Sequence, residues 1–192
     1  MTRRLVFLLE EPSMANLLLE LMPRVFPGWV HTEQFLCVKH QGKSDLDKSI
    51  PRKLQAWKTP GDVFVVLRDT DGVECGQLKR DLVKICRKNG RPDTLIRLVC
   101  QELESWYLGD LGALAAVFGD SKLSSPRMKK RFLSPDDWQK PSVELERLIP
   151  DFQKGSGARL MGRELSLSDA SNCSKSYAVF LAGVRRLAKS TA

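Results

Sequence analysis

Acidic side chains follow three short apolar segments of the chain, and carboxylates in this pattern can hold a metal ion. Each apolar segment is typical of a strand that is buried on both faces. The acids come in pairs directly after these segments: Glu10 with Glu11, Asp69 with Asp71, and Glu102 with Glu104. In an open α/β sheet, ligands bind outside the carboxyl ends of the strands. If the three strands are parallel neighbours, we expect the carboxylates to converge at one edge of the sheet.

A cluster of carboxylates needs a compensating cation, because like charges at close range raise one another's pKa. Oxygen ligands suit Mg²⁺ or Mn²⁺, and these ions commonly clamp or activate a phosphate group. The pattern therefore predicts a Mg²⁺ or Mn²⁺ site. The alternative is that these acids are ordinary loop entries and helix caps, since polar residues at strand ends are common.

Basic residues could supply the contacts to a polyanion. The chain has 31 Lys and Arg against 23 Asp and Glu, a formal net charge of +8. Residues 120–192 carry 14 basic and 8 acidic side chains, whereas residues 1–119 carry 17 and 15. Such a surplus favours nucleic acid as a partner, because Lys and Arg neutralise its phosphates. The candidate contacts fall in two segments, His40, Lys43, Arg52 and Lys53 in the first and Lys154, Arg159 and Arg163 in the second. The alternative is a solvated basic face, which has the same composition.

Apolar runs and helical spacing alternate along the first half of the chain, which predicts an α/β fold. We expect strands at residues 5–9, 30–39, 63–67 and 95–100, and helices from Pro12 to Pro27, from Ser44 or Asp45 onwards, and at 75–89. Beyond residue 100 the pattern predicts only helices, near 110–118, 142–149, 155–165 and 174–189. The prediction is a mostly parallel sheet of about four strands flanked by helices. We expect one domain over residues 1–192, with a sheet core at 1–109 and a helical, basic part at 110–192.

The cysteine pattern favours a reducing compartment. The five cysteines contain no C-x-x-C pair, and with only His31 and His40 available they form neither a convincing zinc site nor a disulfide framework. The apolar run before Glu10 has only five residues, too few for a signal peptide, and no run approaches the ~20 residues of a membrane span. We therefore expect a cytoplasmic protein.

Longer stretches of the sequence resemble a known family. A strand that ends in Glu, a later strand that ends in Asp-x-Asp and a parallel α/β layout are similar to the Toprim fold of topoisomerases, DnaG-type primases and overcoming-lysogenization-defect nucleases. The chain more closely resembles the Toprim-like family called domain of unknown function 4276. That resemblance rests on LVFLLEEPS, KHQGKSDLDKSIPRKL, FVVLRDTD, RLVCQELESWYLGDL and FQKGSGARLMGREL, which together touch most of the chain.

The resemblance implies a role for each acidic position. Glu10 matches the Toprim glutamate, a metal ligand or general acid/base, and Asp69 and Asp71 match the Asp-x-Asp pair that holds Mg²⁺. Glycine usually follows that glutamate, whereas this chain has Glu11, which could supply an extra ligand. Glu102 and Glu104 match an acidic Glu-Leu-Glu segment, which implies that they assist through a second metal ion or through hydrogen bonds to the ligands.

The resemblance also implies an activity and a partner. It implies Mg²⁺-dependent (or Mn²⁺-dependent) cleavage of phosphodiester bonds by water, in a nuclease-type domain. Toprim-like proteins of this family resemble partners of AAA/ABC-type ATPases and are suspected in defence against foreign DNA. Because the chain has no ATP-binding motif, ATP dependence would come from such a partner. The alternative is a non-catalytic subunit of an ATPase complex.

A third interpretation starts from the segment Asp69-Thr70-Asp71-Gly72-Val73, which fits the nucleophile loop of haloacid-dehalogenase-type phosphatases. That loop normally follows the first strand, and a later strand should supply paired acids. Asp136 and Asp137 follow Ser-Pro rather than an apolar strand, so this interpretation ranks last.

Overall fold

The computed structural model describes residues 4–168 and 170–189, and four of its segments form one parallel sheet. The strands are β1 (Leu5–Leu9), β2 (Phe35–Lys39), β3 (Val63–Asp69) and β4 (Leu95–Val99), arranged in the order β2-β1-β3-β4. All three pairings are parallel. The predicted α/β fold with a parallel sheet is confirmed, and the strands that precede the acidic pairs are neighbours.

Nine α-helices accompany the sheet in the described residues. They are α1 (Pro12–Val25), α2 (Lys43–Ala56), α3 (Cys75–Lys88), α4 (Glu104–Leu108), α5 (Leu111–Phe118), α6 (Pro126–Arg131), α7 (Pro141–Leu148), α8 (Lys154–Glu164) and α9 (Lys175–Lys189). Short 3₁₀ turns cover Ser121–Ser124 and Pro135–Asp137. No helix within the described residues is both long enough and apolar enough to cross a membrane.

The sheet is buried on both faces because alternate side chains of each strand point to opposite sides. In β1, Leu5, Phe7 and Leu9 belong to one apolar cluster with residues of α1, α8 and α9. Val6 and Leu8 belong to a second cluster with residues of α2 and α3. Because helices cover both faces of the sheet, every residue of β1 must be apolar.

The helical C-terminal part shares its core with the sheet. The rings of Phe7 on β1 and Phe180 on α9 lie 6.5 Å apart between their centroids. Helix α8 packs against α1 at very short range, since a Cβ added at Gly162 would lie 2.5 Å from the carbonyl oxygen of Leu17. Only glycine permits this approach of the two helices, which fixes the position of the first residue of α8, Lys154.

Some predicted boundaries differ from the observed ones. The strand predicted from residue 30 begins at Phe35, because residues 30–34 form a turn in which Gln34 accepts a hydrogen bond from the N–H of Val30. The short helices α4 and α6 were not predicted, since five or six residues carry too little periodicity to reveal a helix.

Candidate functional site

Glu10 and Asp69 meet at the carboxyl end of the sheet. Glu10 follows β1 directly, and Asp69 is the last residue of the neighbouring strand β3. The backbone N–H of Asp69 donates a 3.0 Å hydrogen bond to Oε2 of Glu10. Both side chains are buried, and Nε of Arg68 lies 4.0 Å from the same Oε2. The parallel pairing of β1 and β3 thus joins two of the predicted acids.

Two more carboxylates and one ammonium group complete this site. Glu11 stands at the start of α1, and Glu104 is the first residue of α4, which follows β4. Nζ of Lys154 lies 2.7 Å from Oε2 of Glu11 and 3.9 Å from Oε1 of Glu104. The hydroxyl of Ser13 donates to the other oxygen of Glu11. We call Glu10, Glu11, Asp69 and Glu104 the acidic cluster.

Burial and nearby negative charges raise the pKa values of Glu10, Asp69 and Glu104. Burial is the largest cause that raises the pKa of Asp69 well above its usual range, and the charges of Glu10, Glu11 and Glu104 raise it further. Burial likewise raises the pKa of Glu104 to about 7, against the lowering effect of Lys154. The pKa of Glu10 is also raised, again mainly by burial. The cluster therefore has an electrostatic need for a further cation.

Several polar atoms in this region have no hydrogen-bond partner among the described residues. They are Oδ1 of Asp69, Oε2 of Glu104, the hydroxyl oxygen of Tyr107 and Nε of Arg68, and all four are buried. Buried polar atoms are normally paired, so each unpaired one calls for an explanation such as a missing ion or water. Hard carboxylate oxygens with free lone pairs are the donors that Mg²⁺ and Mn²⁺ accept.

The donor set fits such an ion in chemical type, but it is not preassembled. In the described part of the chain, no group of three or more His, Cys, Asp or Glu side chains already has the spacing of a metal site. Lys154 and Arg68 instead supply the nearby positive charges. A bound metal ion would require the carboxylates to rearrange around it or to exchange Lys154 for it.

Asp71 lies at the open side of the acidic cluster. Its backbone is left-handed, with φ of +47°, and Oδ2 lies 3.2 Å from Nζ of Lys43. Its charge still contributes to raising the pKa of Glu10. The two aspartates of the Asp-x-Asp pair are thus in different environments, one buried at the strand end and one in the exposed loop.

Glu102 turns away from Asp69 and Glu10 and contacts α7 instead. Its Oε2 accepts a 2.8 Å hydrogen bond from the backbone N–H of Ser142, and Oε1 lies 3.6 Å from Nζ of Lys140. The carboxylate therefore interacts with the first turn of α7, where backbone N–H groups lack helical partners. Its role as a metal ligand stays a prediction, and in this conformation both oxygens are engaged elsewhere.

The first predicted basic segment divides between the interior and the surface. His40 is buried, with Nδ1 2.8 Å from the carbonyl oxygen of Leu9 and Nε2 2.8 Å from the hydroxyl of Ser49. Neither ring nitrogen is left for a nucleic acid, so the observed role of His40 is to join β1 to α2. Arg52 and Lys53 line a surface cavity of about 490 Å³.

The second predicted basic segment also divides. Lys154 lies at the acidic cluster, whereas Arg163 donates two 3.0 Å hydrogen bonds to Glu20 on α1. Nε of Arg159 lies 3.9 Å from the same carboxylate. Arg159 and Arg163 therefore take part in the packing of α8 on α1, although both guanidinium groups remain partly exposed.

Tyr107, like Arg68, is a residue at this site that sequence reasoning missed. Burial raises the pKa of its hydroxyl, and the charges of Glu104, Glu11 and Asp69 raise it further. The spacing contains a usable signal, because residues three apart on a helix share a face and Tyr107 follows Glu104 by three positions. This spacing could be used only if residues 104–108 were known to be helical, and the sequence did not predict that helix.

One of the two acids considered for the phosphatase interpretation, Asp136, is used elsewhere. Asp136 lies in a 3₁₀ turn, where it accepts hydrogen bonds of 2.7 Å from the hydroxyl of Ser174 and from the N–H of Ser176. It therefore fixes the start of α9 rather than standing at a strand end. Asp69 itself ends the third strand of the chain, not the first.

One comparison with known proteins gives a match. A family model described as "Domain of unknown function (DUF4276)" matches residues 9–185. No curated protein and no solved structure matches the chain. The matched range contains every candidate residue discussed above, from Glu10 to Arg163.

Proposed function

The chain belongs to the family called domain of unknown function DUF4276, and we propose that it is a nuclease-type domain that hydrolyses phosphodiester bonds with Mg²⁺ or Mn²⁺. The proposal includes a relationship to the Toprim fold, since this chain and that fold both have acidic residues after parallel strands. The observation that carries it is the pair of buried, unpaired carboxylate oxygens, Oδ1 of Asp69 and Oε2 of Glu104. Leaving carboxyl oxygens buried without hydrogen-bond partners is costly in either protonation state unless a ligand binds them.

Asp69, Glu104 and Glu10 would hold the metal ion, with Asp71 approaching from its loop. When bound, the ion would neutralise charge on the phosphate and lower the pKa of an attacking water. The residues themselves prepare the site. The N–H of Asp69 orients the carboxylate of Glu10, and Arg68 adds a positive charge beside it.

Proton transfer is a second task that this chain can perform. Because burial raises the pKa of Glu104 to about 7, its carboxyl group can hold or release a proton at Oε2 near neutral pH. Lys154 keeps a positive charge within reach of the same group and could contact a phosphate oxygen. Lys43 at the open side of the site is a further candidate for contact with the nucleic-acid backbone.

The biological setting is also part of the proposal. We propose that the protein acts in the cytoplasm with an AAA/ABC-type ATPase and takes part in defence against foreign DNA. The support is the family resemblance and the unpaired cysteines. The five cysteines that the structure describes are all free thiols, as a reducing compartment would keep them.

The test combines metal binding with cleavage. Wild type, Asp69→Asn and the control Asp81→Asn are titrated with Mg²⁺ and Mn²⁺ by calorimetry, and the same proteins are incubated with supercoiled plasmid. Asp81 lies on α3, where it pairs with Lys84 on a helix surface away from the strand ends. We expect wild type and Asp81→Asn to bind metal and nick the plasmid, and Asp69→Asn to lose both.

The outcomes separate the candidates. Metal binding without cleavage calls for the ATPase subunit, and cleavage that appears on its addition supports the proposal. Cleavage that survives in Asp69→Asn contradicts it.

The second candidate is a non-catalytic subunit of an ATPase complex, and one observation favours it. Lys154 already stands beside Glu11 and Glu104, so the protein partly neutralises its own carboxylates. Under this alternative, neither metal binds at millimolar concentration and the plasmid remains supercoiled with or without the ATPase.

A further inference from the structure

A basic groove lies beside the candidate site, and it contains none of the residues that the sequence predicted to contact nucleic acid. The groove is formed by α6, α7 and the segment between them, with a cavity volume of about 740 Å³. Four cationic side chains line it, namely Lys130, Arg131, Lys140 and Arg147. Two acids, Asp137 and Glu144, also line it, which leaves a positive surplus.

Glu144 orients two of the cations. Its buried carboxylate accepts a 2.5 Å hydrogen bond from Nη2 of Arg131 at one oxygen and a bond from Nη1 of Arg147 at the other. The guanidinium of Arg131 also lies over the ring of Trp138, 5.5 Å from its centroid. One carboxylate cannot neutralise two arginines, so the pair retains a positive charge and unused N–H donors.

Lys140 joins the groove to the loop that follows β4 and carries Glu102 and Glu104. Nζ of Lys140 lies 3.6 Å from Oε1 of Glu102, and Glu102 is separated from Glu104 by a single residue. The contact of Glu102 with Ser142 attaches the start of α7 to the loop that follows β4. Lys140 and Ser142 thus tie the groove to the loop whose other acid, Glu104, belongs to the acidic cluster.

Two exposed apolar side chains favour nucleic acid over a simple inorganic anion. Leu133 is 67% exposed and Val143 is 39% exposed, and both line the groove. Sugars and bases provide apolar surface between regularly spaced phosphates, and arginine forks match phosphate geometry. Cations with apolar neighbours are therefore suited to a phosphodiester backbone.

We propose that this groove binds the backbone of a nucleic acid through Arg131 and Arg147, held by Glu144, and leads it past Lys140 to the acidic cluster. The second half of this proposal, delivery to a cleavage site, rests on the proposed function. The first half, binding, does not require cleavage.

The test measures binding of the full chain in EDTA, so that no metal-dependent cleavage can occur. The probes are a fluorescein-labelled 30-base-pair DNA duplex and one of its strands, followed by fluorescence anisotropy across a salt series. The groove variant is Lys140→Met with Arg147→Met, which removes two cations of the proposed path that are both largely exposed. The control variant, Lys84→Met with Lys88→Met on α3, loses the same charge on a helix that covers the other face of the sheet.

We expect the groove variant to bind at least tenfold more weakly, and its slope of log Kd against log salt on duplex DNA to fall by about 1.8. The control should stay within about twofold of wild type in that same salt series. Equal loss in the two variants, or no binding by wild type, overturns the proposal. Competition by polyglutamate as effective as competition by unlabelled DNA also overturns it, because the ligand would then be an acidic protein.

Glu144→Gln separates an oriented site from a general basic surface. The substitution raises the net charge by one, so a general surface would bind DNA more tightly. The proposed groove should bind more weakly, because both arginines lose the carboxylate that orients them, and tighter binding would contradict the proposal. Circular dichroism confirms that the variant is folded, and Glu146→Gln on the exposed side of α7 is its matched control. Binding without plasmid nicking would count against the cleavage proposal alone.

Discussion

The N–H of Asp69 donates to the carboxylate of Glu10, a contact between residues 59 positions apart in the sequence. It exists because β1 and β3 are parallel neighbours with Leu9 opposite Leu67, which brings their carboxyl ends to the same edge. The contact uses only the backbone N–H of Asp69, and Oδ1 of its side chain has no partner. The geometry therefore fixes Glu10 and leaves Asp69 available to a ligand.

Glu104→Gln should stabilise the metal-free protein in a pH-dependent way. The folded-state pKa of Glu104, about 7, lies above its usual value of 4.5, so the folded protein holds this proton more tightly than the unfolded chain. Wild type therefore loses stability as pH rises from 4.5 to 7, and glutamine avoids that loss. The gain should be absent at pH 4.5 and approach about 3 kcal/mol above pH 7.

Urea unfolding at pH 4.5, 6 and 8 measures this gain. Glu146→Gln, an exposed change on α7, serves as the control and should show no pH-dependent difference. A gain for Glu104→Gln that is the same at all three pH values would refute the burial argument.

Lys154→Met should destabilise the metal-free protein by about 1 kcal/mol at pH 8, because the half-exposed ammonium no longer offsets Glu11 and Glu104. The loss should diminish at pH 5, where Glu104 is protonated in the folded state. Added Mg²⁺ should restore more stability to this variant than to wild type, since the ion would replace the missing charge. Thermal unfolding with and without Mg²⁺ measures both effects, and Lys84→Met is the control. Equal stabilisation of wild type and Lys154→Met by Mg²⁺ would show that the ion does not bind where the ammonium group of Lys154 lies.

His40→Phe should lower the free energy of unfolding by about 1–3 kcal/mol, because Ser49 and the carbonyl of Leu9 lose a buried partner. The folded variant should keep wild-type affinity for DNA. Urea unfolding and anisotropy together measure this, with the exposed Lys43→Met as a comparison that should change stability little. Unchanged stability with weakened DNA binding would show that His40 is a binding residue after all.

Gly162→Ala should destabilise the protein by roughly 1–3 kcal/mol, since the new methyl group meets the carbonyl oxygen of Leu17. Gly155→Ala on the same helix is the matched control. There the added Cβ would find its nearest neighbour 3.6 Å away, an ordinary contact, so the change in stability should stay within about 1 kcal/mol. Similar unfolding free energies for the two variants would show that α8 can move away from α1 at little cost.

Sequence reasoning located the strands and the acids at their ends because a buried parallel strand leaves a continuous apolar run. It could not place Lys154, which reaches Glu11 across 143 residues through the packing of α8 on α1. It could not foresee that α7 would bind Glu102, or that His40 would be buried under α2. Each of these depends on how helices pack on the sheet, and spacing along one segment does not encode that packing.

Glu144 also determines when two arginine side chains become ordered. A free arginine side chain loses up to about 2 kcal/mol of rotamer entropy when a ligand fixes it. Because Arg131 and Arg147 are already held by one buried carboxylate, that entropy is lost during folding. An anion that reaches these guanidinium groups therefore meets donors that are already oriented, and its binding should carry a smaller entropic penalty than binding to flexible surface lysines.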